Sequence, residues 1–302
     1  MHKILSFMLI FCIFVFAKKE VESVAVVTSI PALAALSKEI LKDTPIEIIE
    51  PFGNEIAIDE FGEIAKIYET QLDEISKKTV AVVDIRSIIA SDPLFVQLRR
   101  RNIKIVEIDC ATPLSPVLTA VGKIRKNDGS LNPFVWLSLS NSIRMAEVLE
   151  NDFCALFPKY AEKISTNLLE FKKNANDLRN FYVRQFLEID NFSAVCLSGD
   201  FDYMLKDIDL FVVENFVPEY EWNEEIMANF EKLLENMQTG TVISRWEIGS
   251  PAVEIMTKFH IRESVLKTGF PAGSDFKNGF LKFWEKNAEA VLQSMIWAEI
   301  NK

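Results

Sequence analysis

Residues 158–188 read PKYAEKISTNLLEFKKNANDLRNFYVRQFLE, a stretch without glycine whose only proline stands at its start. Apolar side chains at Tyr160, Ile164, Leu168, Phe171, Leu178, Phe181 and Tyr182 follow steps of three and four residues, the spacing that keeps one face of an α-helix apolar. The pattern predicts a single helix of about thirty residues, about 45 Å long at about 1.5 Å per residue. Globular helices average about 11–12 residues. A rod of this length in mid-chain therefore points to two bodies that it joins.

On either side the sequence alternates short β-branched runs with longer helical patterns, the mark of an α/β fold with parallel sheets. Before the rod, strands are expected at Ser23–Thr28, Pro45–Glu50, Thr79–Asp84 and Ile103–Asp109, with helices at Pro31–Lys42, roughly 60–78 and Pro93–Arg101. After it, strands are expected at Ser193–Leu197, Leu210–Glu214, Thr241–Ser244 and Ser264–Lys267. Helices follow at Phe201–Lys206, Asn223–Gln238, Ser250–Phe259 and Phe276–Glu299. The predicted fold class is α/β: two lobes, each a parallel sheet flanked by helices, joined by one long rigid helix. The expected division is a signal peptide at 1–17, an N-terminal lobe at 18–157, the connecting helix at 158–189 and a C-terminal lobe at 190–302.

The N-terminus MHKILSFMLIFCIFVFA has a basic start, a short apolar run and Val15-Phe16-Ala17 before a charged segment. This is the anatomy of an export signal cleaved after Ala17, leaving a periplasmic protein. Phe11 before Cys12 is too large for a lipobox. The chain of 302 residues carries 33 Lys+Arg against 44 Asp+Glu, a formal net charge of −11, with no basic block. Nucleic acid is therefore not an expected partner, because phosphate contacts need clustered cations. Cys110, Cys154 and Cys196 have spacings of neither a zinc knuckle nor a redox pair, and the simpler expectation is buried apolar side chains with at most one disulfide.

No phosphate-cradling glycine motif and no G-x-S-x-G is present. Of the two histidines, His2 leaves with the signal, and His260 in MTKFHIR ends a helical pattern, where a C-terminal cap fits it best. No enzyme chemistry is indicated. In open parallel sheets ligands bind beyond the carboxyl ends of the strands. The positions to watch are therefore Ser29, 52–60, Ile85-Arg86, Ser198–Asp200, Asn215-Phe216, Arg245–Glu247 and Thr268–Gly273.

Two of these neighbourhoods carry a family likeness. Asn132-Pro133-Phe134-Val135-Trp136-Leu137-Ser138 resembles the N-P-H-V-W-L-S/D-P segment of the metal-binding receptors of zinc and manganese ABC importers. Ser198-Gly199-Asp200-Phe201-Asp202-Tyr203 resembles their H-D-A-F-x-Y turn, and VAVVTSIPALAALSKEI is similar to their first strand and helix. The likeness runs in order from about Val21 to Met295. It implies two lobes on a backbone helix, a divalent metal in the cleft, and delivery to an importer permease in the inner membrane. It also implies a histidine-rich ligand set, and there the match fails. The family's ligand positions fall on Ala57, Phe134, Ser198 and Thr268, none a ligand as it stands, and a further family glutamate falls near Arg245.

One mature histidine cannot supply a site of two or three, however the residues are aligned. A rebuilt oxygen-rich metal site would draw on Asp59, Glu60, Asp200 and Asp275, with Glu55 and Asp202 nearby, and would favour Mn²⁺ or iron over Zn²⁺. Alternatively the scaffold holds a non-metal solute or a metal chelate. In that case Phe134 and Arg245 line the cleft, and Trp136, Tyr203, Phe216, Trp222 and Trp246 add aromatic surface. A third reading is an exported interaction module that has lost its ligand.

Overall fold

The β-branched runs pair into two parallel four-stranded sheets of identical plan. In the computed structural model, which describes residues 24–52, 68–126, 129–190, 192–237, 240–269 and 279–301, the first sheet has the order β2-β1-β3-β4. Its strands are β1 (Ala25–Val27), β2 (Glu47–Ile49), β3 (Thr79–Asp84) and β4 (Val106–Asp109). The second has the order β6-β5-β7-β8, from β5 (Ser193–Cys196), β6 (Phe211–Asn215), β7 (Thr241–Ser244) and β8 (Arg262–Val265). The predicted signal peptide, Glu55, Ala57, Asp59, Glu60 and Asp275 lie outside the described residues.

Helices alternate with these strands: α1 (Pro31–Ile40), α2 (Glu69–Lys78), α3 (Leu94–Arg101), α4 (Leu139–Leu156), α5 (Ala161–Leu187), α6 (Asp202–Asp207), α7 (Glu224–Met237), α8 (Ser250–Lys258) and α9 (Gly279–Ile300). Pro31 occupies the first turn of α1, where a missing N–H costs nothing. The rod is α5, preceded by a 3₁₀ turn at Pro158–Tyr160 that takes up the proline. Its buried stripe is Ile164, Leu168, Phe171, Ala175, Tyr182 and Phe186. Phe181, expected inside, is exposed, because a true 3.6-residue turn carries the stripe to Tyr182 and Phe186 instead.

Two further expectations are corrected. Helix α4 was not among the predicted elements. Its inner face carries the buried polar residues Asn141 and Ser142, which blur the apolar period. Both are satisfied locally: Asn141 pairs with the Gly122 backbone, and the Ser142 hydroxyl donates to the Trp136 and Ser138 carbonyls. Strand β8 begins at Arg262 rather than Ser264. It is an edge strand, where charged residues such as Arg262 and Glu263 are tolerated. The Lys267 backbone is held instead by the Asn287 side chain.

The alternation of side chains along each strand builds three layers of core. Val26, Ala81, Val83 and Ile108 of the first sheet, with Ala194, Cys196 and Ile243 of the second, face one continuous central cluster with α1, α4, α5 and α9. The opposite faces are closed separately, by Leu72, Leu94 and Leu98 over Val27 and Val82, and by Phe230, Leu234 and Met256 over Val195 and Val242. Fully buried Tyr182 and Trp284 pack edge-to-face at 5.9 Å where α5 meets α9. A large side chain buried in this way contributes about 1.5–3 kcal/mol. The lobes thus share a core through the rod and α9.

Among the described residues no helix is long and apolar enough to cross a membrane. Cys110, Cys154 and Cys196 are free thiols, the first and last buried. His260 has φ +52° just after α8 and leads into β8. That places it at the amino end of the sheet, away from the carboxyl ends where the lobes meet, in agreement with the capping role.

Candidate ligand site between the lobes

In each sheet the first strand lies between the second and the third, so the crossovers leave in opposite directions between β1 and β3, and between β5 and β7. Ligand crevices form at such switch points. Beyond β5 comes Ser198-Gly199-Asp200; beyond β7 comes Arg245-Trp246. These two turns touch each other and the Asn132–Ser138 segment.

Asn132 makes the join. Buried completely, its side-chain oxygen accepts the Phe134 amide at 3.0 Å, and its Nδ2 donates to the carbonyls of Gly199 at 2.8 Å and Asp200 at 3.2 Å. The Tyr203 hydroxyl accepts the Ile124 amide at 2.9 Å and donates to the Asn132 carbonyl at 3.3 Å. Ser138 caps α4 by accepting the Asn141 amide, and its hydroxyl donates to Asp207 of α6. Trp136 Nε1 donates to the Thr268 carbonyl at 2.7 Å, and Trp284 Nε1 to that of Leu137 at 2.8 Å. The asparagine, tryptophan and tyrosine of the two motifs are therefore structural clamps.

The positions where the resemblance places ligands do other work. Phe134 is 7% exposed, its ring edge-on to Trp136 at 5.6 Å. The Ser198 hydroxyl accepts the Asp200 amide at 3.2 Å, an ordinary turn cap. Thr268 is buried, with its carbonyl on Trp136. Ala57 falls outside the described residues, as do Asp59, Glu60 and Asp275.

Asp200, which sequence reasoning offered as a substitute metal ligand, lies between two cations. Lys126 Nζ stands 2.6 Å from one carboxylate oxygen and Arg245 Nη1 3.3 Å from the other. The carboxylate is nearly buried, whereas both cations are partly exposed. The same two cations flank the Phe134 ring, Lys126 at 5.7 Å and Arg245 at 5.5 Å from its centroid. Arg245 also lies 4.9 Å from the Trp246 ring. Cation–π contacts of this kind are worth about 0.5–1 kcal/mol when exposed and more when dry. Asp202, half-buried two residues on, has its carboxyl pushed up by burial, with Asp200 acting in the same direction and Lys206 and Lys126 against it.

Among the described residues no group of three histidine, cysteine or acidic side chains could hold a metal ion. The chemistry of the described site is that of an aromatic floor, two cations and one shared carboxylate. Lys126 and Tyr220, which borders Trp246, carry no periodic signal in the sequence: one is a lone lysine in a loop, the other the middle of a single 3₁₀ turn at Glu219–Glu221.

Residues 69–293 match the model of the ZnuA family, the periplasmic component A of zinc-uptake complexes. The chain belongs to this family. Among solved structures it is similar to an FpvC mutant from Pseudomonas aeruginosa, at 17% identity and TM-score 0.70 over 90% of this chain and 98% of that one. It is also similar to the Zn(II)-bound ZnuA-like domain of Streptococcus pneumoniae AdcA, at 16% identity and TM-score 0.68 over 90% and 99%. A crystal structure of ZnuA matches at 16% identity and TM-score 0.65 over 93% and 100%. Such identities show the shared fold, two parallel sheets on a long helix. No curated protein matches the sequence. The ZnuA-family chain thus anchors its two motifs through Asn132, Trp136 and Tyr203, and carries phenylalanine and serine at two positions where the resemblance places histidine.

Proposed function

We propose that this chain is the exported solute receptor of an ABC importer for metal, a binding protein rather than an enzyme, with its cargo between the lobes. The observation that carries the reading is the set of clamps at the carboxyl ends of the second sheet: Asn132 and Tyr203 fix the turn after β5, Trp136 holds the chain after β8, and Arg245 ties the turn after β7 to Asp200, where a receptor of this fold presents its site. The shared core supports a role in which cargo is carried with little internal motion, since α5 and α9 bind both sheets into one cluster. A signal peptide cleaved after Ala17 and a permease in the inner membrane complete this reading.

Two cargo chemistries fit the scaffold. A bare divalent ion would need carboxylates such as Asp59, Glu60 and Asp275, with Asp200 released from its cations. A solute or chelate would use the cations and rings already assembled at Phe134 and Arg245. Cells lacking the chain should contain less iron, manganese or zinc than the parent under metal restriction, and re-expression should restore it. Unchanged metal content in the deletion strain would overturn the transport role.

A further inference from the structure

At the carboxyl end of β7 the surface carries aromatic side chains that the fold does not use. Tyr220 is 73% and Trp246 52% exposed. Their rings stand 6.4 Å apart at 67°, an open corner rather than a closed stack. A depression of about 40 Å³ lies beside them, lined by Leu197, Tyr220, Ser244, Arg245, Trp246 and Ile248. That exceeds the about 10–15 Å³ that one water needs, so the depression admits a small polar group. Ser244 is buried, and its hydroxyl has no hydrogen-bond partner among the described residues. That oxygen is closed off from the depression, so the polar contacts of the corner come from Arg245.

Arg245 forms the back of this corner. One of its nitrogens is spent on Asp200, and no other hydrogen bond of its guanidinium occurs among the described residues. Its guanidinium carbon lies 5.5 Å from the Phe134 centroid and 4.9 Å from that of Trp246. A guanidinium fixed by rings and one carboxylate keeps its remaining donors oriented for a second anion. Lys126 stands on the far side of Asp200. Glu219 and Glu247 also border the depression, but the Glu219 carboxylate accepts the Gly249 amide at 3.2 Å, and Glu247 is exposed.

We propose, on the receptor reading above, that this corner binds an anionic organic ligand with a flat conjugated face, carrying its metal as a chelate. Its charge is met by the unspent guanidinium donors of Arg245, and its face by Trp246 and Tyr220. Asp200 offsets one of the two cations and Glu219 and Glu247 border the depression, so it is the free donors of Arg245 and the two rings, rather than net positive charge, that would recognise the chelate.

Titration of the purified protein, followed by tryptophan fluorescence and calorimetry, tests this with ferric 2,3-dihydroxybenzoate, ferric citrate, zinc chloride and manganese chloride. The ferric dihydroxybenzoate complex should bind at micromolar concentration or tighter. Ferric citrate, anionic without a ring, should bind at least tenfold more weakly. Arg245→Ala should weaken the aromatic chelate at least tenfold. Trp246→Ala and Tyr220→Ala, at exposed rings whose loss leaves the core intact, should each weaken it severalfold with unchanged thermal melting. Tighter binding of Zn²⁺ or Mn²⁺ alone than of either chelate would overturn the proposal, as would affinity indifferent to Trp246 and Arg245. If no probe binds while the deletion strain still loses metal, the ligand class is wrong and the receptor role stands. If metal content is also unchanged, both fall.

Discussion

At the scale of single residues, the site turns on who owns the Asp200 carboxylate. Both of its oxygens are held by cations, and the group lies between an exposed pair, worth under about 1 kcal/mol, and a buried one, whose breaking costs about 3–5 kcal/mol. Asp200→Asn should therefore lower stability in urea by about 1–3 kcal/mol by leaving Lys126 and Arg245 facing each other. Adding Lys126→Met should recover part of that loss; an additive double variant would contradict the coupling. Asp84, fully buried at the end of β3, has its carboxyl raised to about 8, by burial first and then by the charges of Glu107, Asp92 and Asp109, against the Arg86 amide. Its proton is bound more tightly in the folded state, so its stabilising contribution is complete below about pH 4 and is lost as pH rises towards about 8. Melting temperature should thus fall across pH 5 to 8, and Asp84→Asn should flatten that slope. The sequence displayed Phe134, Ser198 and Thr268 in ligand positions because a motif is a local string. It could not display Lys126, whose partner is 74 residues away.

At the scale of elements, periodicity was a good guide wherever a face is purely apolar. Strands β3 and β7 fall on their expected bounds, and the rod emerges as α5 with one turn tightened by Pro158. It failed at α4, where buried Asn141 and Ser142 are paid for by hydrogen bonds that no pattern of hydrophobicity reveals. The same logic makes Asn132 the element most sensitive to change. Removing its side chain deletes bonds to the Phe134 amide and to the Gly199 and Asp200 carbonyls, leaving buried groups unpaired. Asn132→Ala should cost about 2–4 kcal/mol in thermal or urea unfolding, and should weaken chelate binding by loosening the turn after β5, whose Asp200 positions Arg245. A near-neutral variant would mean that the turns are held elsewhere.

At the scale of the whole molecule, the two lobes are legible in the sequence as one plan written twice, and the family follows from motif order. The continuity of the core is not legible, because it depends on which faces of α1, α4, α5 and α9 meet. Since that cluster includes residues of both sheets, tryptophan fluorescence and far-ultraviolet circular dichroism should report one coincident unfolding transition. Two separated transitions would show lobes that fold independently. The ligand is where fold and composition part: the ZnuA-family scaffold is retained, while the described site offers cations and rings. Native mass spectrometry of the exported protein, purified from its own cell without chelators, measures this most directly. The expected spectrum shows the mass of an organic ligand with its metal, lost in Arg245→Ala; a mass increment of a single bare metal ion, unaffected by that substitution, would overturn a chelate cargo.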